Sequence, residues 1–410
     1  MPENPDVVII GAGVAGAAMA TVLARGGISV LLLERSIVHQ DRVRGEYVAP
    51  WGVIEAHMLG VLDVLVAAGG HYVPLSLPYG DSMPPLLARS RFLDVRSVVP
   101  EVAGALTISH PRMCQALGDA AQVAGATFVR GAKNVQVITG QPPKVSYVVD
   151  QQKHELTPRL VIGADGRGST IARQIRATVE TNPEHHLLAG LLVTGVDVWP
   201  EQEYSIGTDG DVLFFVLPQG NGRIRLYLGY GLDQARRFTG SDNSQRFLDA
   251  FRLPSLPFSD VLSTARPAGP CRGYPNADAW IDRPVAPGVV LIGDAAGHND
   301  PTIGQGLSIA FRDVRLVADA LDGASHWTAK SFEPYLEERR ERMRRLRFTA
   351  QHYSILFAEF GEAARARRAR AMKRMAIDKS KALPLLPLLK GPFNVPHDAF
   401  EPAAWDRLMN

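Results

Sequence analysis

Cysteine is nearly absent. Cys114 and Cys271 are the only two in 410 residues; they lie far apart and match no metal-ligand spacing. A disulfide framework is therefore excluded as the basis of the fold, no metal site is expected, and a reduced, cytoplasmic setting is the expectation. Long uncharged apolar runs are also missing, so no membrane-spanning helix is expected. Met1–Asp6 lacks the basic residues of a secretory leader. Neither sign of charge is in excess: 44 Lys and Arg stand against 42 Asp and Glu. That balance gives no electrostatic reason to expect a nucleic acid partner. There is no internal repeat and no low-complexity tract. What remains is ordinary globular composition in a chain long enough for two or more domains.

The most informative segment that is present runs Gly11-Ala12-Gly13-Val14-Ala15-Gly16. It follows the apolar strand Val7–Ile10 and opens a helix that Gly26-Gly27 closes. A second apolar strand, Val30–Leu33, then ends on Glu34. This is the dinucleotide fingerprint in its required context. Gly11 allows the tight turn, Gly13 admits a pyrophosphate to the backbone, and Gly16 permits close helix–strand packing. The first helical turn, with Ala15, presents N–H groups to phosphates. Glu34 suits a ribose hydroxyl, with Arg35 beside it. A carboxylate there repels a 2′-phosphate, so FAD or NAD is expected at this position, not NADP.

Further along, residues 52–69 have helical spacing, and 70–107 are rich in Pro and Gly and read as irregular. A helix is expected over Pro111–Ala124, a strand at Thr127–Val129, and a hairpin or meander over 134–157. Leu160–Ala164 is a buried-type strand running into Asp165-Gly166. From 186 onward, strand-like runs separated by Gly and Pro turns suggest an inserted antiparallel sheet. Val289–Ile292 returns to the buried type and ends on Gly293-Asp294. A helix of about five turns is expected from Gly304 to Leu321. Residues 332–380 are helical and Arg-rich. A solvated face partnered by Glu337, Glu338 and Glu341 is favoured there over a surface for an anionic partner. Leu383–Leu389, with two prolines, reads as a packed extended tail.

Three segments carry a family resemblance: Gly11–Gly16 with Glu34; Gly163-Ala164-Asp165-Gly166-Arg167-Gly168-Ser169; and Gly293-Asp294-Ala295-Ala296 followed by Pro301-Thr302-Ile303-Gly304-Gln305-Gly306. In this order, each at a strand end, they resemble the p-hydroxybenzoate hydroxylase-like class A flavoprotein monooxygenases. The resemblance spans roughly residues 5–330.

It implies an α/β fold: a Rossmann-type FAD domain with an inserted antiparallel β-sheet substrate domain and C-terminal helices. The expected division is 1–70, 105–185 and 285–330 for FAD, 71–104 and 186–284 for substrate, and 331–410 for the C-terminal region. It implies non-covalent FAD, with NADH or NADPH as transient reductant. An aromatic or polycyclic small molecule would be hydroxylated by O₂ through a flavin C4a-hydroperoxide. Asp294 would bind the ribityl chain, Pro301 would lie beside the flavin ring, and Gly304, Gln305 and Gly306 would open a helix toward it. Arg44 would contact FAD phosphates and the nicotinamide cofactor, and Arg112 would make a second flavin contact. Asp165 and Gly166 match a motif tied to both nucleotides.

The sequence departs from the family at Gly297 and Asp300, where His and Pro are usual, and at Ala172, where Arg is usual. Asp300 reads more readily as a solvated loop acid than as a group tuning the flavin. Phe214, Phe215, Tyr227 and Tyr230 divide evenly between pocket lining and sheet core. An epoxidase or a natural-product tailoring oxygenase shares every motif, and a flavin-binding redox module without turnover remains a third reading. A halogenase is disfavoured by the lack of a Trp-x-Trp-x-Ile-Pro segment. Substrate, reductant preference and oligomeric state are not readable from the chain.

Overall fold

The computed structural model describes residues 4–324 and 326–409. In chain order, β1 (Val7–Ile10), α1 (Val14–Arg25) and β2 (Val30–Glu34) form the first unit. Helix α2 (His110–Val123), β3 (Thr127–Arg130) and β4 (Leu160–Gly163) follow. Four long strands come next: β5 (His186–Thr194), β6 (Glu203–Asp209), β7 (Val212–Pro218) and β8 (Arg223–Tyr230). The chain returns through β9 (Val289–Leu291) to three helices, α3 (Gly306–Leu321), α4 (Glu333–Phe357) and α5 (Glu362–Ile377).

One sheet has the order β9-β4-β1-β2-β3, all parallel, with Val285–Ala286 added antiparallel outside β9. Val7 is in register with both Leu160 and Val30. The inner strands β1, β4 and β9 are buried on both faces, which explains their unbroken apolar sequences, while the edge strand β3 is half-buried. Helices α1, α2 and α3 cover one face. The three-stranded meander Lys133–Leu156 packs on the other.

The second sheet runs β5-β8-β7-β6 and continues through Leu75–Leu77 to Leu93–Asp94. Segment 70–107 is therefore less irregular than its composition suggests: it gives strands to two sheets and the short helix Pro85–Ser90. His71–Val73 stays on the nucleotide side, paired with Ala105–Thr107, which pairs in turn with Tyr47–Val48. In β7 and β8, Phe215 stands opposite Tyr227, and Phe214 opposite Leu228. Alternation sends the first pair toward the nucleotide domain and C-terminal helices, and the second into a separate core with Tyr230.

Three expected elements differ. The helix over 52–69 is two helices, Pro50–Met58 and Leu62–Ala67, because Gly60 turns the chain at φ +65°. The helix expected from Gly304 begins at Gly306, since Gly304 is left-handed at φ +65°. Residues 383–389 are not extended: they belong to helical turns over Lys379–Leu385 and Pro387–Lys390. Pro387 at a first helical position explains how proline is tolerated there.

The Arg-rich region also departs from the solvated face. Arg339, Arg342 and Arg368 are buried. Arg339 and Arg342 reach Asp313 of α3 at 3.1 and 2.6 Å. Arg344 and Arg345 do pair with Glu341 near the surface, as a helix face predicts. No helix among the described residues is long and apolar enough to cross a membrane.

Candidate functional site

Between the two sheets and the C-terminal helices lies a cavity of about 1810 Å³. Ligand sites ordinarily span about 300–1,000 Å³. This cavity therefore has room for an extended cofactor and a second molecule together.

Its nucleotide end is built by the turn after β1. Gly11 sits at φ +101°, and a side chain there would collide with the carbonyl of Ala164. A side chain on Gly16 would strike the carbonyl of Gly11. At Gly13, by contrast, a Cβ would meet nothing within 4 Å. Two glycines close the turn and the third leaves open space on the cavity wall, beside Val14 and Ala15. No side chain caps the start of α1, so its first N–H groups are free to receive a phosphate.

At the end of β2, the Glu34 carboxylate accepts the N–H groups of Ala12 and Ser36, each at 2.8 Å. Burial pushes its pKa up, but these two bonds outweigh that and hold it below the usual carboxylate value. Glu34 thus stays ionised on the cavity wall, with acceptor capacity left for a hydroxyl. Arg35 lies beside it, exposed on the same wall.

Asp294 and Arg167 face each other across the middle of the cavity at 3.4 Å. Arg44 and Arg167 each lie 6.0 Å from the ring centre of Tyr274. Burial, then the Arg167 charge, pulls the Arg44 pKa down. Two guanidinium groups and one carboxylate leave this region short of negative charge, as an anion-binding site requires. His298 shares it. Burial and Arg167 lower its pKa to about 4.

Gly293 turns at φ +59° into Asp294, and its N–H donates to Asp313 at 2.8 Å. Pro301 begins a short turn held by Asp300, which accepts the Thr302 N–H at 2.9 Å. Pro301, Gly304, Gln305 and Gly306 all reach the cavity wall. The Gln305 side chain is already engaged: its oxygen accepts from Trp51 Nε1 at 2.6 Å, and its amide donates to the Ile303 carbonyl at 2.6 Å. What Gln305 and Gly306 offer the cavity is backbone, at the N-terminus of α3.

Several expected site residues have other positions. Arg112 is exposed on α2 and does not line the cavity. His110 and Cys114, at i and i+4, take the cavity-facing side, so Arg112 between them points elsewhere. Asp165 borders the cavity, but its carboxylate receives Ser169 Oγ, the Thr170 N–H and Thr170 Oγ1 at 2.5–2.8 Å. It braces the Gly166 turn, at φ +77°, and holds Ser169, whose side chain caps the helix Thr170–Gln174.

Asp300 is not a solvated acid. It is 1 % exposed, with Oδ2 at 3.3 Å from His186 Nε2 and 3.5 Å from His185 Nε2. Burial alone would raise its pKa; His186 and Thr302 lower it instead. His185, His186 and Asp300 are the cluster with metal-ligand chemistry among the described residues. They lie behind the Pro301 turn, off the cavity wall.

Sequence reasoning left out Arg167, which lay inside a quoted motif, and Glu46. Glu46 lines the cavity, buried, with Arg225 at 2.9 Å and Tyr227 Oη at 3.0 Å. Burial raises its pKa against the opposing Arg225 charge. Its only sequence signal was proximity to Arg44.

The far half of the cavity is apolar. Phe215 and Tyr227 line it, whereas Phe214 and Tyr230 do not. Leu188, Ile206, Phe357, Met372, Met375, Leu385 and Leu388 complete it. Two cations also line it, Lys379, which is exposed, and Arg91, which is half-buried.

Residues that would hold FAD line this cavity from end to end: Glu34 would meet the ribose, the Gly13 opening the pyrophosphate, Asp294 the ribityl chain and the Pro301–Gly306 turn the ring. Comparison with known proteins agrees. A family profile described as an FAD binding domain matches residues 4–348. Squalene epoxidase erg1 of Aspergillus fumigatus is 27% identical over 375 residues, covering 87% of this chain and 76% of that one. A menaquinone reductase of Mycobacterium tuberculosis is 26% identical over 337 residues, covering 78% and 77%. The chain spans only 58–63% of the length of several plant and mouse squalene epoxidases. In fold, it is similar to p-nitrophenol 4-monooxygenase PnpA of Pseudomonas putida: TM-score 0.80, 19% identity, 95% and 99% of the two chains.

Proposed function

This chain belongs to the FAD-binding-domain family, and we propose that it is a flavoprotein monooxygenase of the aromatic-hydroxylase-like class that uses NAD(P)H and O₂ to oxygenate a neutral, largely apolar aromatic or polycyclic molecule. The observation that carries this reading is the run of apolar side chains, Leu188, Ile206, Phe215, Phe357, Met372 and Met375, that lines the cavity between the second sheet and the C-terminal helices. A carboxylate-bearing substrate needs a cation facing it, because an unpaired buried charge is costly. Arg225 is fully buried behind that wall and engaged by Asp41 and Glu46, and Lys379, which lines the cavity, is exposed to solvent.

Bound FAD would supply the redox chemistry, taking electrons from NAD(P)H and activating O₂, the source of the oxygen atom delivered to substrate. The chain's own residues do the rest. Glu34 and the start of α1 bind the adenosine diphosphate half. Arg44 and Arg167 supply positive charge for phosphates, including those of NAD(P)H during its transient visit. The N-terminus of α3 favours negative charge on the flavin ring. Phe215, Tyr227 and the C-terminal helices exclude water from the reacting face.

Epoxidation of an alkene is the second reading, supported by the squalene epoxidase relatives and by the size of the apolar space. Both readings predict faster NAD(P)H consumption with neutral polycyclic or isoprenoid compounds than with their carboxylated analogues. Faster turnover with the carboxylates would overturn the substrate assignment.

A further inference from the structure

The apolar half of the cavity opens to solvent between two lips. One lip is the short helix Pro85–Ser90 and the residues after it. Leu86 is 86 % exposed and Phe92 53 %, with Leu87 and Leu93 exposed beside them. Phe92 and Leu93 also line the cavity, so this apolar surface is continuous with its interior. The other lip is the end of α5 and the turn after it. Ala376 and Lys379 line the cavity there and are exposed, and Ile377 is 78 % exposed.

Four large apolar side chains exposed within eight residues are not scattered surface hydrophobes. Such a patch marks an interaction surface. The charge beside it identifies the partner. Between 362 and 381 there are eight Lys and Arg and two acidic residues, in a chain that is otherwise nearly balanced. Part of that charge is internally engaged: Arg367 pairs with Glu359, and Arg368 lies near Asp81. Arg370, Lys373 and Lys379 are exposed, and among the described residues no carboxylate lies within ion-pair distance of them. Arg365 ties α5 to the first lip by donating to the Asp81 carbonyl at 3.0 Å.

An apolar rim flanked by unpaired basic residues matches the chemistry of an anionic lipid surface. Leu and Phe enter the headgroup layer while Lys and Arg meet the phosphates. We propose that the mouth of the cavity docks on an anionic phospholipid bilayer without spanning it, so that an apolar substrate passes from the lipid into the cavity. This rests on the reading that the cavity takes an apolar substrate. It explains an arrangement that a freely water-soluble substrate does not require.

The test uses the full-length, FAD-loaded protein and co-sedimentation with two kinds of vesicle: phosphatidylcholine alone, and phosphatidylcholine with phosphatidylglycerol. The expected result is binding to the anionic vesicles that weakens with salt, and little binding to the neutral ones. Leu86→Asp with Leu87→Asp should reduce the bound fraction at least about tenfold, as should Arg370→Glu with Lys373→Glu. All four residues are exposed and off the cavity wall, so flavin content and thermal midpoint should be unchanged. If the Asp pair loses flavin, Leu86→Ser with Leu87→Ser replaces it under the same criterion. A parent protein that stays in the supernatant, or variants that bind as the parent does, would overturn the proposal. A protein that docks yet oxygenates no apolar compound would instead overturn the substrate reading alone.

Discussion

Asp313 on α3 accepts the backbone N–H of Gly293 at 2.8 Å, one residue before the proposed ribityl contact Asp294. The same carboxylate oxygen takes Arg339 Nε at 3.1 Å, and the other takes Arg342 at 2.6 Å. The C-terminal helix α4 therefore fixes the cofactor turn through one buried acid. Desolvated charges of this kind are tolerated only while paired.

Asp313→Ala leaves Arg339 buried without a carboxylate and Arg342 with Glu338 alone. The expected loss is about 3–5 kcal/mol of stability, seen as a lower denaturant midpoint, together with weaker FAD retention. Asp313→Asn keeps an acceptor for Gly293 and should retain more FAD than the alanine variant. Equal flavin content in parent and alanine variant would show that the turn is held by other contacts.

The three glycines of the first turn separate folding from binding. Gly16→Val forces a side chain into the Gly11 carbonyl and should prevent correct folding. At Gly13 a Cβ meets no protein atom within 4 Å, so Gly13→Val should fold and fail to hold FAD. Glu34→Gln removes a charged acceptor worth about 1.5–3 kcal/mol, which weakens FAD about 10- to 100-fold. Fluorescence titration of the apoproteins measures both. A Gly13→Val protein that binds FAD as the parent does contradicts the pyrophosphate assignment.

These positions were legible in the sequence because strand, turn and helix follow one another locally. The residues that were misread depend on distant partners. Arg339 and Arg342 look solvated until Asp313, on another helix, is placed against them. Asp300 looks like a loop acid until His186 and Ser354 arrive from elsewhere in the chain. Arg112, matched by resemblance to a family arginine, lies off the cavity wall for a different reason: a match in sequence says nothing of helix phase, and that phase gives the cavity to His110 and Cys114. In β7, alternation predicts that Phe214 and Phe215 face opposite ways, but not which one faces the ligand.

Arg44→Ala should keep FAD but be reduced slowly by NAD(P)H, while dithionite, which needs no binding site, reduces it at the parent rate. Stopped-flow reduction with both donors measures this. Equal slowing with both would indicate a damaged flavin site, and unchanged rates with both would remove Arg44 from the reductive step.

Stability should also depend on pH through His110. Burial lowers its folded pKa from 6.5 to about 4, partly offset by its contact with the Gly45 carbonyl. Below pH 6.5 the unfolded chain takes up a proton that the folded chain refuses until about pH 4. Stability should therefore fall as pH drops through that window and level off below it. The contribution is at most about 3 kcal/mol, and less where water in the cavity reaches the ring. His110→Gln should flatten this part of the profile in denaturant titrations of the apoprotein. An unchanged slope would show that the imidazole is solvated.

The central claim is that this protein places an oxygen atom from O₂ on an apolar substrate. Turnover under ¹⁸O₂ with NAD(P)H, followed by mass spectrometry of the product, tests it most directly. The account predicts one ¹⁸O atom per product molecule and none from labelled water. A product that is reduced without gaining oxygen, or oxygen that comes from water, would contradict it.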